Sequence, residues 1–289
     1  MSQEANKIST VGIVGLGLIG ASLAKAYKEA EPSIRVLGFD IEETNILMGK
    51  LAHFVDEKLD DDSLKDCDLV LICTYPDVAV KYLTKKAPLF KKGGLVIDTC
   101  GTKRLVCEAG FKAASENGFL FVGGHPMAGS KYSGLAHSQA DMFDGAPMII
   151  VPPTFDDMQM IDRVKAALEP VGFGSYCLAH SEKHDEIIAF TSQMAHLVSN
   201  AYIKSPSASS HKGFSAGSYK DMTRVAWLNP VMWSKLFLEN KDNMINEIDS
   251  LIGELTKYKE AILADDEESL VKLLDDGRRR KEELDGKKA

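Results

Sequence analysis

A histidine at position 125 stands in "FVGGHPMAGSKYSG", between a glycine pair and a proline, where an apolar run ends. Imidazole has an ordinary pKa of about 6.5, so it can take up or release a proton near neutrality. Gly123, Gly124 and Gly129 leave the backbone around it bare and open to close approach. The setting reads as a site built around a reacting group. A second stretch, "VGIVGLGLIG", carries Gly15, Gly17 and Gly20 as G-x-G-x-x-G between an apolar strand and a helix. That context suits a dinucleotide: one glycine for the tight turn, one for close approach of the pyrophosphate, one for packing of the helix on the strand. The free N–H groups of the helix start, at Leu18 and Ile19, then face the phosphates. Asp40 closes "IRVLGFD" twenty residues after Gly20. A carboxylate there grips a ribose 2′-hydroxyl and repels a 2′-phosphate, which selects NAD, while Arg35 or a lysine leaves NADP open.

These residues need a scaffold, and the pattern supplies one. After "TVGIV" and its helix come "IRVLGF", "DLVLICTYP", "GGLVID", "FLFVGGHP" and "APMIIVPP", separated by helical stretches at "DVAVKYLTKKAPLF", "RLVCEAGFKAASEN" and Met158 to Leu168. Alternating β and α units predict a doubly wound parallel sheet whose ligands sit outside the carboxyl ends of the strands. Three loops converge there: Thr74 to Asp77 with Pro76, Thr99 to Lys103, and the segment that opens at His125. "VGFGSYCLA" completes this unit, so residues 1–178 are expected to form the Rossmann-type dinucleotide-binding domain and 179–289 an all-helical domain.

In the second half, "SEKHDEIIAFTSQMAHLVSNAYI" predicts a helix with Ile187, Ile188, Thr191, Met194, Ala195 and Val198 near one face. "NPVMWSKLFLENKDNMINEIDSLIGELTKYKEAIL" predicts one long amphipathic helix with Leu236, Met244, Ile248, Leu251, Leu255 and Ile262 on its buried stripe. A last helix carries Leu270, Leu273 and Leu274. So few helices cannot bury both faces alone, which predicts a homodimer through this half.

Across 289 residues the formal net charge is −8, with no basic footprint for nucleic acid. Five cysteines lack metal-ligand spacing, and His184 and His196, twelve apart, lack the four-residue spacing of a helical metal site. A reduced, cytoplasmic protein without a resident metal is expected. "MSQEANKIST" lacks a signal pattern, and no run of about 18 apolar residues predicts a membrane span.

With "GGHPMAGSKYSG" in the first half and "KDMTRVAWLNPVMW" in the second, the chain resembles the prephenate/arogenate dehydrogenase family from Val11 to about Leu274. The resemblance implies oxidative decarboxylation of prephenate to 4-hydroxyphenylpyruvate, or of arogenate to tyrosine, with NAD as acceptor. It makes His125 the base that removes the substrate hydroxyl proton as hydride leaves. It assigns Arg224 to a substrate carboxylate, where a planar fork suits a dicarboxylate, although pairing with Asp221 is an alternative use. His196 falls near the substrate side chain, with Gln193 assisting. His137, His180, His184 and His211 read as surface or loop residues.

Two stretches depart from the family pattern. The family's D-x-G-S-x-K is "DTCGTK" here, which puts Gly101 at the serine and Thr102 one residue later as the replacement catalytic hydroxyl. The family's G-G-G-F-R-D is "SAGSYKD", keeping Gly217 and Lys220. Cys100, beside Lys103 and Arg104, reads either as a reactive thiol near the nicotinamide or as an inert core residue. The rival enzymatic reading is a 3-hydroxyacid dehydrogenase, which would use a lysine of the second half. The non-enzymatic rival is a nicotinamide-sensing protein without turnover.

Overall fold

The computed structural model describes residues 8–130 and 132–286. The expectation for the first residues of the chain therefore falls largely outside them. Three apolar runs, β1 (Thr10–Val14), β4 (Leu69–Ile72) and β5 (Leu95–Asp98), are buried along their whole length. Near-continuous apolar strands of this kind belong to a sheet covered on both faces. With β2 (Arg35–Phe39), β3 (Glu57–Lys58), β6 (Leu120–Pro126), β7 (Pro147–Val151) and β8 (Ser175–Leu178), they form one sheet in the order β3-β2-β1-β4-β5-β6-β7-β8. β1 pairs parallel with both β2 and β4, so the winding reverses beside the glycine turn. That reversal is where open α/β sheets leave a crevice for a ligand.

Helices α1 (Leu18–Ala30), α2 (Glu43–Leu51), α3 (Pro76–Lys86), α4 (Arg104–Asn117) and α5 (Met158–Leu168) cover this sheet. One core packs Leu23 and Tyr27 of α1 with Ile161 and Val164 of α5. The other packs Leu83 of α3 and Val106 of α4 with Phe121. The buried Tyr27 hydroxyl donates to the Ala167 carbonyl at 2.6 Å, which removes the cost of an orphaned polar group.

The sheet differs from the parallel expectation at one point. The first residues of β6 pair parallel with β5, but Gly123 to Pro126 pair antiparallel with β7. A parallel connection needs a crossover helix, and between β6 and β7 the described residues hold only the 3-10 turn Leu135–His137. His125, opposite Ile149, thus lies on an extended strand rather than in a loop.

The second half begins with α6 (Ser181–Ile188), which runs through a π turn (Ala189–Met194) into α7 (Ala195–Tyr202). The extra residue of the π turn corrects the predicted face: His184, Asp185, Ile188, Ala189, Gln193, Met194 and Ser199 are buried, whereas Ile187, Thr191 and Ala195 are exposed. α8 (Gly217–Thr223) follows a loop. The predicted long helix is two, α9 (Pro230–Glu239) and α10 (Lys241–Leu263), broken at the buried Asn240. Its stripe is also less buried than expected, since Leu255 and Ile262 are 58% and 61% exposed. α11 (Glu267–Asp285) ends the described chain. No described helix is long and apolar enough to cross a membrane.

Candidate active site

The glycine turn is shaped for a phosphate. Gly15 has φ +93°, and a Cβ there would stand 2.7 Å from the Cys73 carbonyl oxygen. At Gly20 a Cβ would meet the Gly15 oxygen at 1.9 Å, so helix and turn touch backbone to backbone. Nothing lies within 4 Å of a Cβ built on Gly17, and α1 starts there without a side-chain cap. The N–H groups around Leu18 and Ile19 are thus left for an anion. Asp40 Oδ2 accepts from the Leu16 N–H at 2.7 Å and Oδ1 from the Glu42 N–H at 2.9 Å, which ties the end of β2 to the turn. Arg35 is committed elsewhere: its guanidinium forks Glu57 at 3.0 and 2.6 Å. The residues therefore fit a dinucleotide with a free ribose hydroxyl. Thr74 and the buried Pro76, which opens α3, border the same crevice, with Thr74 against Gly15.

His125 is half-buried, and its Nδ1 lies 2.8 Å from Nε2 of His184. His184 is buried, and its Nδ1 lies 2.8 Å from Asp185 Oδ1. This corrects the reading of His184 as a surface residue: it faces inward from the first helix of the second half. Burial pushes the His125 imidazole well below its usual range, with the neighbouring His184 and the Lys103 charge acting in the same direction. Burial also lowers His184, against the hydrogen bond to Asp185. Both shifts favour the neutral ring. Gly123 and Gly124 serve packing rather than ligand approach, since a Cβ would strike Cys107 Sγ at 2.4 Å and the Asp98 carbonyl at 2.5 Å respectively. Gly129 alone of the three faces open space.

Beneath the histidines lies a fully buried ion pair. Lys103 Nζ bonds Asp98 and also donates to the Gly124 carbonyl at 2.6 Å, one residue before His125. Asp98 accepts from the Cys100 N–H at 2.9 Å and the Gly124 N–H at 3.2 Å. Cys100 is buried, and burial beside the Asp98 charge pushes its thiol well above the usual range. The reactive-thiolate reading is thereby set aside for the inert one.

Two predicted residues, Thr102 for the base and Gln193 for the substrate side chain, are engaged with other protein groups. Thr102 donates its hydroxyl to Glu239 Oε2 at 2.7 Å, across to α9, whereas the histidine has His184 as its partner. Gln193 is buried and used at both ends: Nε2 donates to the Leu236 carbonyl at 3.1 Å, and Oε1 accepts from Asn240 at 2.7 Å. It knits α9 to the π turn. His196 is half-buried, with Nδ1 2.9 Å from the Ser192 carbonyl and its ring stacked on Trp233 at 3.8 Å. Burial lowers its pKa, and the nearby Arg224 charge adds to that. Arg224 itself is exposed and makes no ion pair among the described residues, so the Asp221 alternative is not realised. α9 also reaches the first half through Lys235, 3.1 Å from both Asp77 oxygens.

A doubly wound sheet with a glycine phosphate turn, and a histidine pair at the seam with a helical half, define a nucleotide-binding oxidoreductase with a separate helical domain. The chain matches the nucleotide-binding domain of prephenate dehydrogenase over residues 23–176 and the dimerization domain of prephenate dehydrogenase over residues 180–276. It belongs to the prephenate dehydrogenase family. It is 30% identical to prephenate dehydrogenase of Bacillus subtilis over 90% of this chain and 72% of that one. It is 31% identical to cyclohexadienyl dehydrogenase of Zymomonas mobilis over 90% and 91%. Among solved structures, prephenate dehydrogenase of Aquifex aeolicus in complex with hydroxyphenyl propionate and NAD+ superposes with a TM-score of 0.83 at 27% identity, covering 96% of this chain and 99% of that one.

Proposed function

We propose that the protein oxidises and decarboxylates prephenate to 4-hydroxyphenylpyruvate with NAD, using His125 as the base. The observation that carries this reading is the His125 imidazole at the carboxyl end of β6, backed by His184 at 2.8 Å. NAD, when bound, supplies the hydride acceptor. His125 takes the proton of the ring hydroxyl as hydride leaves the same carbon, which avoids a build-up of positive charge. Loss of the ring carboxylate as carbon dioxide then makes the ring aromatic. Arg224, an unpaired guanidinium in the half opposite the base, holds a substrate carboxylate, and His196 beside it faces the side chain. Gly15, Gly17, Leu18, Ile19, Gly20, Asp40, Thr74 and Pro76 hold the dinucleotide. The division of labour falls at residue 178, with 179–289 supplying the substrate contacts and the surface for a homodimer. Five unpaired cysteines fit a cytoplasmic setting.

Arogenate is the second reading, and one observation favours it. A carbonyl only accepts, so His196 donates its Nδ1–H to Ser192 and keeps Nε2 as an acceptor. An acceptor suits the amino group of arogenate better than the keto oxygen of prephenate. The test is NADH formation by purified protein with prephenate and arogenate in parallel. Turnover of either supports the reaction class, and the ratio of kcat/KM decides the substrate. No turnover of either, in protein that binds NAD, overturns the reading.

A further inference from the structure

We propose that Asp185 is the positioning residue of this active site: its one carboxylate sets which nitrogen of each histidine carries the proton, and it also docks the helical half onto the start of α4. This rests on the reading of His125 as the base.

A carboxylate only accepts hydrogen bonds, so His184 must carry its proton on Nδ1, which lies 2.8 Å from Asp185 Oδ1. A neutral His184 then has a lone pair on Nε2. That lone pair accepts the Nδ1–H of His125 at 2.8 Å. His125 is left with a bare Nε2, the state a base needs. Any other pairing of neutral tautomers along this line sets two lone pairs or two hydrogens face to face. The choice therefore starts at Asp185 and passes through two rings.

The same carboxylate does a second task. Oδ1 accepts the Lys103 N–H at 2.7 Å; Oδ2 accepts the Arg104 N–H at 3.0 Å and Arg104 Nε at 3.2 Å. α4 has no side-chain cap from its own N-cap residue, so Asp185 caps it from another helix, 81 residues away. Arg104 continues outward with a fork on Asp242 at 2.7 and 2.6 Å and a bond to Asn240 at 3.0 Å. Asn240 returns to the Asp185 carbonyl at 2.8 Å. Docking of the two halves and the protonation pattern of the base thus share one group.

The charged groups around the pair are Asp185 on α6, Arg104 at the start of α4, and the buried Lys103 and Asp98. Lys103 is already committed to Asp98 and the Gly124 carbonyl, so it disfavours a proton on either ring. Asp185 is the carboxylate in contact with the relay. Burial works against its charge, but the hydrogen bonds from His184 and from the α4 N–H groups outweigh it and hold the carboxyl below its usual range.

The test is Asp185→Asn in the full-length protein. With its amide oxygen kept on the Arg104 N–H and Nε, the variant puts its NH2 in the place of Oδ1; the Lys103 N–H loses its acceptor, and donation to His184 Nδ1 reverses both tautomers and puts a proton on Nε2 of His125. We expect kcat to fall by about 10³- to 10⁴-fold, the scale of a wrong-tautomer substitution in a His–Asp pair, with NAD affinity changed less than about threefold. Imidazole ¹⁵N spectra should show His125 protonated at Nδ1 in the parent protein and at Nε2 in the variant. His184→Gln, whose Oε1 still accepts from His125, should retain far more activity than Asp185→Asn. A variant with lower Tm but unchanged tautomers and an unchanged acidic limb of kcat/KM overturns the proposal, because it leaves Asp185 only a structural role. Should Asp185→Asn fail to fold, the parent spectrum decides: a His125 protonated at Nε2 overturns it. Full activity in His125→Asn would instead remove the base reading, and the spectra would still report on Asp185.

Discussion

The two halves of the chain bury their apolar residues very differently. The sheet half packs both faces of its central strands and closes two cores around Tyr27 and Phe121. The helical half fully buries Ala189, Met194 and Met244 in its cluster, and leaves Leu255, Ile262, Val271 and Leu274 more than half exposed. Exposed apolar residues repeated along neighbouring helices mark a surface meant for covering. The first half closes its cores within itself, and the second leaves an apolar face open. The proposed base lies where they join, with His125 from one half in contact with His184, and through it Asp185, from the other.

The largest effect is expected at that junction. His125→Asn should lower kcat by about 10²- to 10⁴-fold, the usual worth of general acid–base catalysis, at unchanged Tm. A folded variant at the parent rate would remove the base from the junction. Next comes the closed core: Phe121→Ala should cost about 3–5 kcal/mol by chemical denaturation, because it empties the space between β6 and α4. The contrast sharpens with Leu255→Asp. On an exposed face the change costs a lone chain under about 0.5 kcal/mol, so its main effect should be on assembly. Light scattering should show a dimer for the parent and a monomer for the variant, with a Tm that depends on concentration only in the parent. A monomeric parent would mean that the helical half is complete as it stands.

A pH dependence bears on the junction as well. Both His125 and His184 have folded pKa values depressed by burial, while the unfolded chain takes up protons at about 6.5. Below that value the unfolded state binds more protons than the folded one, so stability falls as pH falls. Each ring contributes up to about 1.4 kcal/mol per pH unit between 6.5 and its depressed value. His184→Gln should flatten the decline in Tm between pH 7 and 5, and an equal slope in both proteins would show that His184 is not buried neutral.

What could be read from the sequence follows the range of the interactions. The glycine turn, Asp40 and the central strands are local: each is decided by residues within about twenty positions, and they appear where the spacing puts them. The antiparallel β7 depends on the lack of a crossover helix, which strand patterning does not report. His184 looks like any polar residue of an amphipathic helix until His125, 59 residues away, is brought to it. Thr102 and Gln193 were plausible as site groups because their types were right, but their partners, Glu239 and Asn240, come from the α9–α10 junction. The "SEKHD" stretch did hold one signal: a histidine followed directly by an aspartate at a helix start.

The π turn makes the spacing between the two inward histidines a matter of indexing. Each residue of a helix advances the azimuth by about 100°, so the extra residue within Ala189–Met194 works like one tooth on a gear. Ahead of it, α6 points His184 toward the sheet; behind it, α7 points His196 toward Trp233 and Arg224. Deleting one residue there would leave His184 in step with His125 and turn His196 away from Trp233, a change of phase that the exchange of a single side chain does not make.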